Sequence, residues 1–296
     1  MPNLKEVRSR IESVRSTQQI TSAMKMVSAS KLRRAQNAIL NMRPYAAKLN
    51  ELMQHISSSL GSETSSPYTE VRKPEKILIV AISSNRGLCG PFNANVGKMV
   101  IQRVRGVYAA QYKAGKVDVF TIGKKVHDFL RVRRIGVSRR NDDLLDNLTF
   151  ETAVPMAEYL MEEFRTGQYD RVEIIYNQFK NAAVQILKTV QFLPVAPPRE
   201  TRIAKTRPEQ VDYIFEPSKE EIVEKLIPKS LKIRFYSALL DSAASEHGAR
   251  MTAMHKATEN AQELLKDLRL KYNKARQAAI TNEIIEIVSG AEALNG

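Results

Sequence analysis

The sequence predicts an α/β protein with a long antiparallel coiled coil: an N-terminal and a C-terminal helix pair, and a small open α/β domain is inserted between them. Two observations at the chain ends and one in the middle carry this. Apolar residues recur at alternating steps of three and four from Leu4 to Leu60, and again from Ala244 to Ala279, the spacing of a heptad seam. Between them, short apolar runs of strand length alternate with helical patterns, which implies a sheet covered by helices on both faces.

The first seam runs through Leu4, Val7, Ile11, Val14, Leu32, Ala35, Ile39, Met42, Ala46, Leu49, Met53, Ile56 and Leu60. Its register continues through Gln18, Thr21, Lys25 and Ser28, so the helix need not break there although its seam turns polar. Over the same stretch Ile20, Met24 and Val27 make an apolar stripe on another face. Pro44 is expected to kink the helix, because it removes a backbone hydrogen bond. Residues 1–60 read as this helix, roughly 85 Å long if continuous.

Residues 61–74, rich in Ser, Thr and Gly, read as a linker. The segment 75–200 reads as the globular domain. It holds a buried strand over Ile77–Ile82, a helix from about Asn93 to Ala114, a strand over Val117–Ile122 and a helix over Phe150–Arg165. A hairpin then turns at Lys180-Asn181 between Val172–Gln178 and Ala183–Phe192. This order is that of a Rossmann-like open sheet. Pro194, Pro197 and Pro198 close it, and 201–217 form a connecting segment. The last helix, 218–296, starts at a capping pattern, Ser218 and Glu221. Its seam passes through Ala244, His247, Met251, Met254, Thr258, Ala261, Leu265, Leu268, Tyr272, Ala275 and Ala279. An inserted domain lets both helices leave from one end and pair in opposite directions. Heptads also suit parallel homodimers, and seam composition alone leaves both arrangements open.

Forty-six Lys and Arg against thirty-two Asp and Glu give a formal charge of +14. That calls for an acidic protein partner, a nucleic acid or an anionic surface. The basic residues gather at the N-terminus, where no aromatic residue for base stacking occurs up to Met42. The lone Cys89 excludes an internal disulfide. The N-terminus carries no apolar core of a signal peptide, and no apolar run reaches the roughly 18 residues of a membrane span.

The turn Ser83–Pro91 follows a strand and precedes a helix, a place where phosphates often bind. It lacks the spacing of a phosphate loop, and a tight turn that needs glycine explains it as well. Cys89 has no histidine near it in sequence, and His55, His127, His247 and His255 show no metal-ligand spacing. The expectation is no catalytic site, no metal and no cofactor. Met24, Met26, Met251 and Met254 read as core filler, with Met24 set apart because its stripe leaves the seam.

The string Ile20-Thr21-Ser22-Ala23-Met24-Lys25-Met26-Val27-Ser28-Ala29-Ser30-Lys31-Leu32-Arg33-Arg34 closely resembles the N-terminal helix of F-type ATP synthase gamma subunits. The strings Glu246-His247-Gly248-Ala249-Arg250-Met251-Thr252-Ala253-Met254 and Tyr272 to Glu283 resemble the C-terminal helix of that family, and Arg86-Gly87-Leu88-Cys89-Gly90 its central domain. The resemblance covers nearly the full length in order. It implies a rotor shaft, one copy inside a hexamer of alternating alpha and beta subunits, with the chemistry left to beta. The implied further partners are the epsilon subunit and the membrane c-ring, with no nucleic acid and with membrane contact only through partners. The implied place is the cytoplasmic face of the bacterial inner membrane, because no transit peptide or chloroplast-type dithiol segment is present.

Residue by residue, the resemblance assigns Arg276 and Gln277 to a beta-subunit loop, and Met24 and Lys25, with Ile20 and Val27 beside them, to a second beta contact. Tyr213, Phe215 and Glu216 match a foot on epsilon and the c-ring. Asn85 stands where relatives commonly carry Asp. The last helix exceeds the first by about a dozen residues if Pro228 only kinks it, so its tip should pass unpaired beyond Met1. There Ile280, Ile284, Ile287 and Val288 lie on several faces, an apolar bearing that something must enclose.

Overall fold

The computed structural model describes residues 4–60, 66–195 and 219–295. Ser218 and the connecting segment 201–217 lie outside the described residues. In chain order the elements are α1 (Leu4–Leu60), β1 (Ile77–Ile82), α2 (Phe92–Gln102), α3 (Ala109–Lys113), β2 (Val117–Ile122), α4 (Lys124–Val132), β3 (Arg139–Asn141), α5 (Phe150–Arg165), β4 (Arg171–Phe179), β5 (Gln185–Leu193) and α6 (Lys219–Asn295). Two compact units result: Met1–Ala29 with Arg250–Gly296, and Ser30–Ala249.

The larger unit is built on one sheet of order β3-β2-β1-β4-β5. β1 runs parallel to β2 and β4, β2 runs parallel to β3, and β5 pairs antiparallel with β4. Every residue of β1 is buried, as expected of a central strand covered on both faces. Its alternate side chains divide the core. Leu78, Val80 and Ile82 face Ala157, Leu160 and Phe164 of α5 and Leu231, Phe235 and Leu239 of α6. Ile77, Ile79 and Ala81 face Val96 and Val100 of α2 and Val126 and Leu130 of α4.

The helix expected from Asn93 to Ala114 is divided. A π-helical turn over Arg103–Val107 separates α2 from α3. The wider turn serves the buried carboxylate of Glu173 on β4: Arg103 Nε donates to Glu173 Oε2 at 2.9 Å, and the Tyr108 hydroxyl donates to Oε1. A buried carboxylate needs such paired donors. α4 and β3 are additions to the sequence reading. Both are short and dense in Lys and Arg, so their apolar pattern is too brief to register. α5 has the bounds expected and starts at a reciprocal cap, in which the Thr152 amide donates to Thr149 Oγ1 and the Thr149 amide to Thr152 Oγ1.

Two glycines mark close approaches. A Cβ at Gly97 on α2 would meet the Phe129 ring of α4 at 2.2 Å, and one at Gly248 on α6 would meet the Ala182 backbone of the β4–β5 turn at 3.2 Å. Beside that turn, Ser245 Oγ donates to the Asn177 carbonyl at 2.9 Å. These contacts fix the segment of α6 up to Ala249 against the hairpin.

Burial pushes the Asp241 carboxyl of α6 up to about 6, with Arg43, Lys188 and the Phe179 amide pulling the other way. A carboxyl whose folded pKa is raised loses stability as pH rises from about 4, its unfolded value, to about 6. Above that range the loss is constant. Asp241→Asn should therefore raise stability above pH 7 by about 1–3 kcal/mol. The gain should vanish near pH 4, measured by thermal unfolding across that range.

Candidate functional site

The smaller unit holds two helix segments and the residues that the sequence places in contact with partners. Thr258 Oγ1 lies 2.8 Å from Thr21 Oγ1, and Lys25 Nζ lies 3.3 Å from His255 Nδ1. As the position on α1 falls from 25 to 21, its partner on α6 rises from 255 to 258, so the segments run antiparallel within one chain. The positions predicted for the α1 seam follow suit. Val7, Thr21 and Ser28 are buried, while Leu4, Ile11, Val14, Gln18 and Lys25 are half-buried. On α6 the buried positions are Met254, Ala261, Leu265 and Leu268, and Tyr272 and Ala275 are half-buried.

Thr21, Lys25 and Ser28 of the polar seam are each hydrogen-bonded. The Thr258 hydroxyl also lies 2.8 Å from the Met254 carbonyl, and that of Thr21 lies 3.0 Å from the Gln18 carbonyl. Two hydroxyl protons serve these three contacts, so one threonine donates to the other while the second closes onto its own helix. Ser28 donates to the Met24 carbonyl at 2.7 Å. The Lys25 ammonium donates to His255 Nδ1. That leaves the Nε2 proton of His255 toward Glu259, at 3.4 Å. A seam closed by hydrogen bonds to neighbours and backbone keeps its register with less apolar area than a leucine seam would bury.

Outside the seam the helix pair exposes apolar side chains. Ile20 is 58% exposed and Val27 56%, and Met24 between them is half-buried. Met26, read from sequence as core filler, is 66% exposed. Its place one residue beyond the seam position Lys25 turns it about 100° from the seam. Arg276 and Gln277 are both exposed. Every described residue from Ala279 to Ala291 is exposed, including Ile280, Ile284, Ile285, Ile287 and Val288. The register carried to Leu4 puts it opposite about Ala275, so no residue of α1 described here reaches that tip. Tyr213, Phe215 and Glu216 lie outside the described residues.

In the larger unit, the turn after β1 spends its polar groups internally. Asn93 Oδ1 accepts from the Ser84 amide and hydroxyl, each at 3.0 Å, and Asn93 Nδ2 donates to the Cys89 sulfur at 3.2 Å. Cys89 is 1% exposed and packs on Phe92 and Ala249. Asn85 Nδ2 donates to the Asp142 carbonyl at 2.9 Å and to the Asp146 carboxylate at 3.2 Å, and its Oδ1 accepts from the Lys124 amide. The amide suits this place, because an aspartate at 85 would set a second carboxylate against Asp146. Among the described residues no group of three or more His, Cys, Asp or Glu side chains could hold a metal ion, and no helix is long and apolar enough to cross a membrane.

A family model described as ATP synthase matches residues 3–294. The ATP synthase gamma chain of Flavobacterium johnsoniae is 59% identical, and that of Cytophaga hutchinsonii 56%, each over all of both chains. That of Chlorobium phaeobacteroides is 44% identical over the same share. Among solved structures, the chain is similar to one in the central stalk and c-ring of the Tetrahymena thermophila mitochondrial ATP synthase. The two are 27% identical, with a TM-score of 0.58, over 80% of this chain and 99% of that one. A chain of the Euglena gracilis mitochondrial enzyme, in a structure of OSCP, F1 and c-ring, shares the fold at a TM-score of 0.69 and 24% identity over 98% of this chain and 94% of that one.

The threonine pair should behave as a unit. Thr21→Val or Thr258→Val alone removes the bond between the helices, leaving the other hydroxyl only its own backbone carbonyl beside a new methyl group, and should cost about 1 kcal/mol. The double substitution should restore or exceed the original stability, because both hydroxyls go and two methyl groups are added. A double-mutant cycle by chemical denaturation of the intact chain measures the difference.

Proposed function

The chain belongs to the ATP synthase gamma-chain family, the central-stalk subunits, and from that premise we propose that it is the rotor shaft of a bacterial F-type enzyme. In this reading one copy stands inside the alternating alpha–beta hexamer, and with epsilon it rests on the c-ring at the cytoplasmic face of the inner membrane. Rotation of the ring turns the shaft. The chain adds no chemistry of its own. Its faces contact each beta subunit differently at each angle, and those differential contacts shift the binding, forming and releasing states of the catalytic sites.

One observation supports this reading above the others: the apolar residues of α6 from Ile280 to Val288 are all exposed, along one broad face of a helix that meets no partner among the described residues. An amphipathic helix hides one face. Such a face left in water needs a covering surface. A sleeve of surrounding subunits supplies it without strong directional bonds, as a turning axle requires. Ile20, Met24 and Val27, together with the ammonium of Lys25, form a second contact, and Arg276 and Gln277 a third, the latter suited to hydrogen-bond a beta loop from a rigid helix surface. The polar seam between Thr21 and Thr258 fits transmission of torque, because bonded positions resist sliding of one helix along the other.

The isolated chain should show no ATP turnover and should assemble with alpha and beta subunits as a single copy per hexamer; turnover by the purified chain alone contradicts the reading. Arg276→Glu combined with Gln277→Ala should leave folding unchanged and lower ATP-driven torque several-fold. Rotation under viscous load, compared with the unsubstituted complex, measures this.

A further inference from the structure

Within the larger unit a cavity of about 190 Å³ lies between α1, α6 and the face of β4 and β5. Its origin is legible in side-chain size. Ala46 and Leu49 of α1 meet Ser230, Ser237 and Ala238 of α6 over Phe192, and the small residues leave space that larger seam residues would fill. Into this space the helix brings a charge. Ser230, Arg234 and Ser237 recur at steps of four and three, so they share one face of α6, and Tyr176 of β4 completes the polar lining.

Arg234 is largely buried, and desolvation works against its charge, with only Tyr176 acting the other way. It makes no hydrogen bond or ion pair among the described residues, and neither do the hydroxyls of Tyr176, Ser230 and Ser237. A partly desolvated guanidinium without a protein partner is free to pair with an anion that enters the cavity. The nearest acid that shares its face of the helix, Asp241, is answered by Arg43, Lys188 and the Phe179 amide instead. Burial keeps the Tyr176 hydroxyl protonated, so the lining offers a fixed cation and three hydroxyl donors.

We propose that this cavity is a binding site for a carboxylate on a short apolar stem, held by Arg234 and Tyr176 with the stem against Leu49, Ile174 and Phe192. The selectivity follows from the lining. A cation is repelled by Arg234. A single arginine balances a single negative charge, and the neighbouring Asp241 disfavours a second, so a monocarboxylate is preferred to a phosphate dianion. The guanidinium fork matches a carboxylate in two parallel bonds. The volume is that of cavities which take a benzene-sized group. The ligand is either a free small acid or an aspartate or glutamate side chain of an adjoining subunit, and the site is a property of the isolated chain whatever its place in a rotor.

Benzoate, benzyl alcohol and inorganic phosphate titrated into the purified full chain, followed by calorimetry and ligand-observed NMR, test the site. Benzoate should bind saturably, and at least tenfold more tightly than benzyl alcohol or phosphate. Arg234→Met should abolish that preference while raising the thermal midpoint, since it removes an unpaired and partly desolvated charge, and Tyr176→Phe should weaken benzoate several-fold. Equal binding of benzyl alcohol, unchanged benzoate binding in Arg234→Met, or no saturable benzoate binding at all overturns the proposal. Repeating the titration on the assembled enzyme assigns the source. Loss of benzoate binding identifies a partner's carboxylate in the cavity, and retention identifies a free acid.

Discussion

Everything in the smaller unit depends on one constraint: two helices that each carry a heptad seam must bury those seams against one another. Neither segment could hold a helix in water by itself, since isolated helices gain little without a packed face. The seam positions that are buried, from Val7 and Thr21 on α1 to Met254, Ala261, Leu265 and Leu268 on α6, account for that packing. The seam then frees the remaining faces. Ile20, Met26, Val27, Arg276 and Gln277 take no part in it and remain available to partners. The pairing also sets where support ends, because α6 continues beyond the position opposite Leu4.

The larger unit obeys a different rule. A parallel sheet with Ile, Leu and Val on both sides must be covered twice, and the chain uses α2 and α4 on one face and α5 with the first part of α6 on the other. The terminal helix is thus part of the domain core through Leu231, Phe235 and Leu239. Gly248 and Ser245 fix it to the β4–β5 hairpin. A helix so held is a suitable origin for a shaft, because torque on it is carried by packing and not by a loop.

Sequence periodicity foretold both seams, the central strands, α5 and the hairpin, because each is set by a pattern long enough to repeat. It passed over α4 and β3, half of whose few residues are charged and which owe their conformation to the sheet beside them. It gave one helix where a π-helical turn intervenes, since that turn answers to Glu173, a residue seventy positions away from Arg103. Met26 was assigned to the core by residue type although its position on the helix points elsewhere. The polar stretch from Gln18 to Ser28 was visible as a pattern, but its partner Thr258 and the Lys25 contact with His255 require the antiparallel register. The cavity at Arg234 was hidden for the same reason: serine, alanine and arginine on two helices and a strand become a site only when folding brings them together.

The central claim is that this chain transmits rotation. It is tested most directly by imaging single complexes of the chain with alpha and beta subunits fixed to a surface, with a probe attached through a cysteine placed at exposed Val132. The account predicts stepwise rotation in one direction, driven by ATP and stopped when it is withdrawn. A complex that hydrolyses ATP while the probe stays fixed, with the chain demonstrably bound, would contradict it.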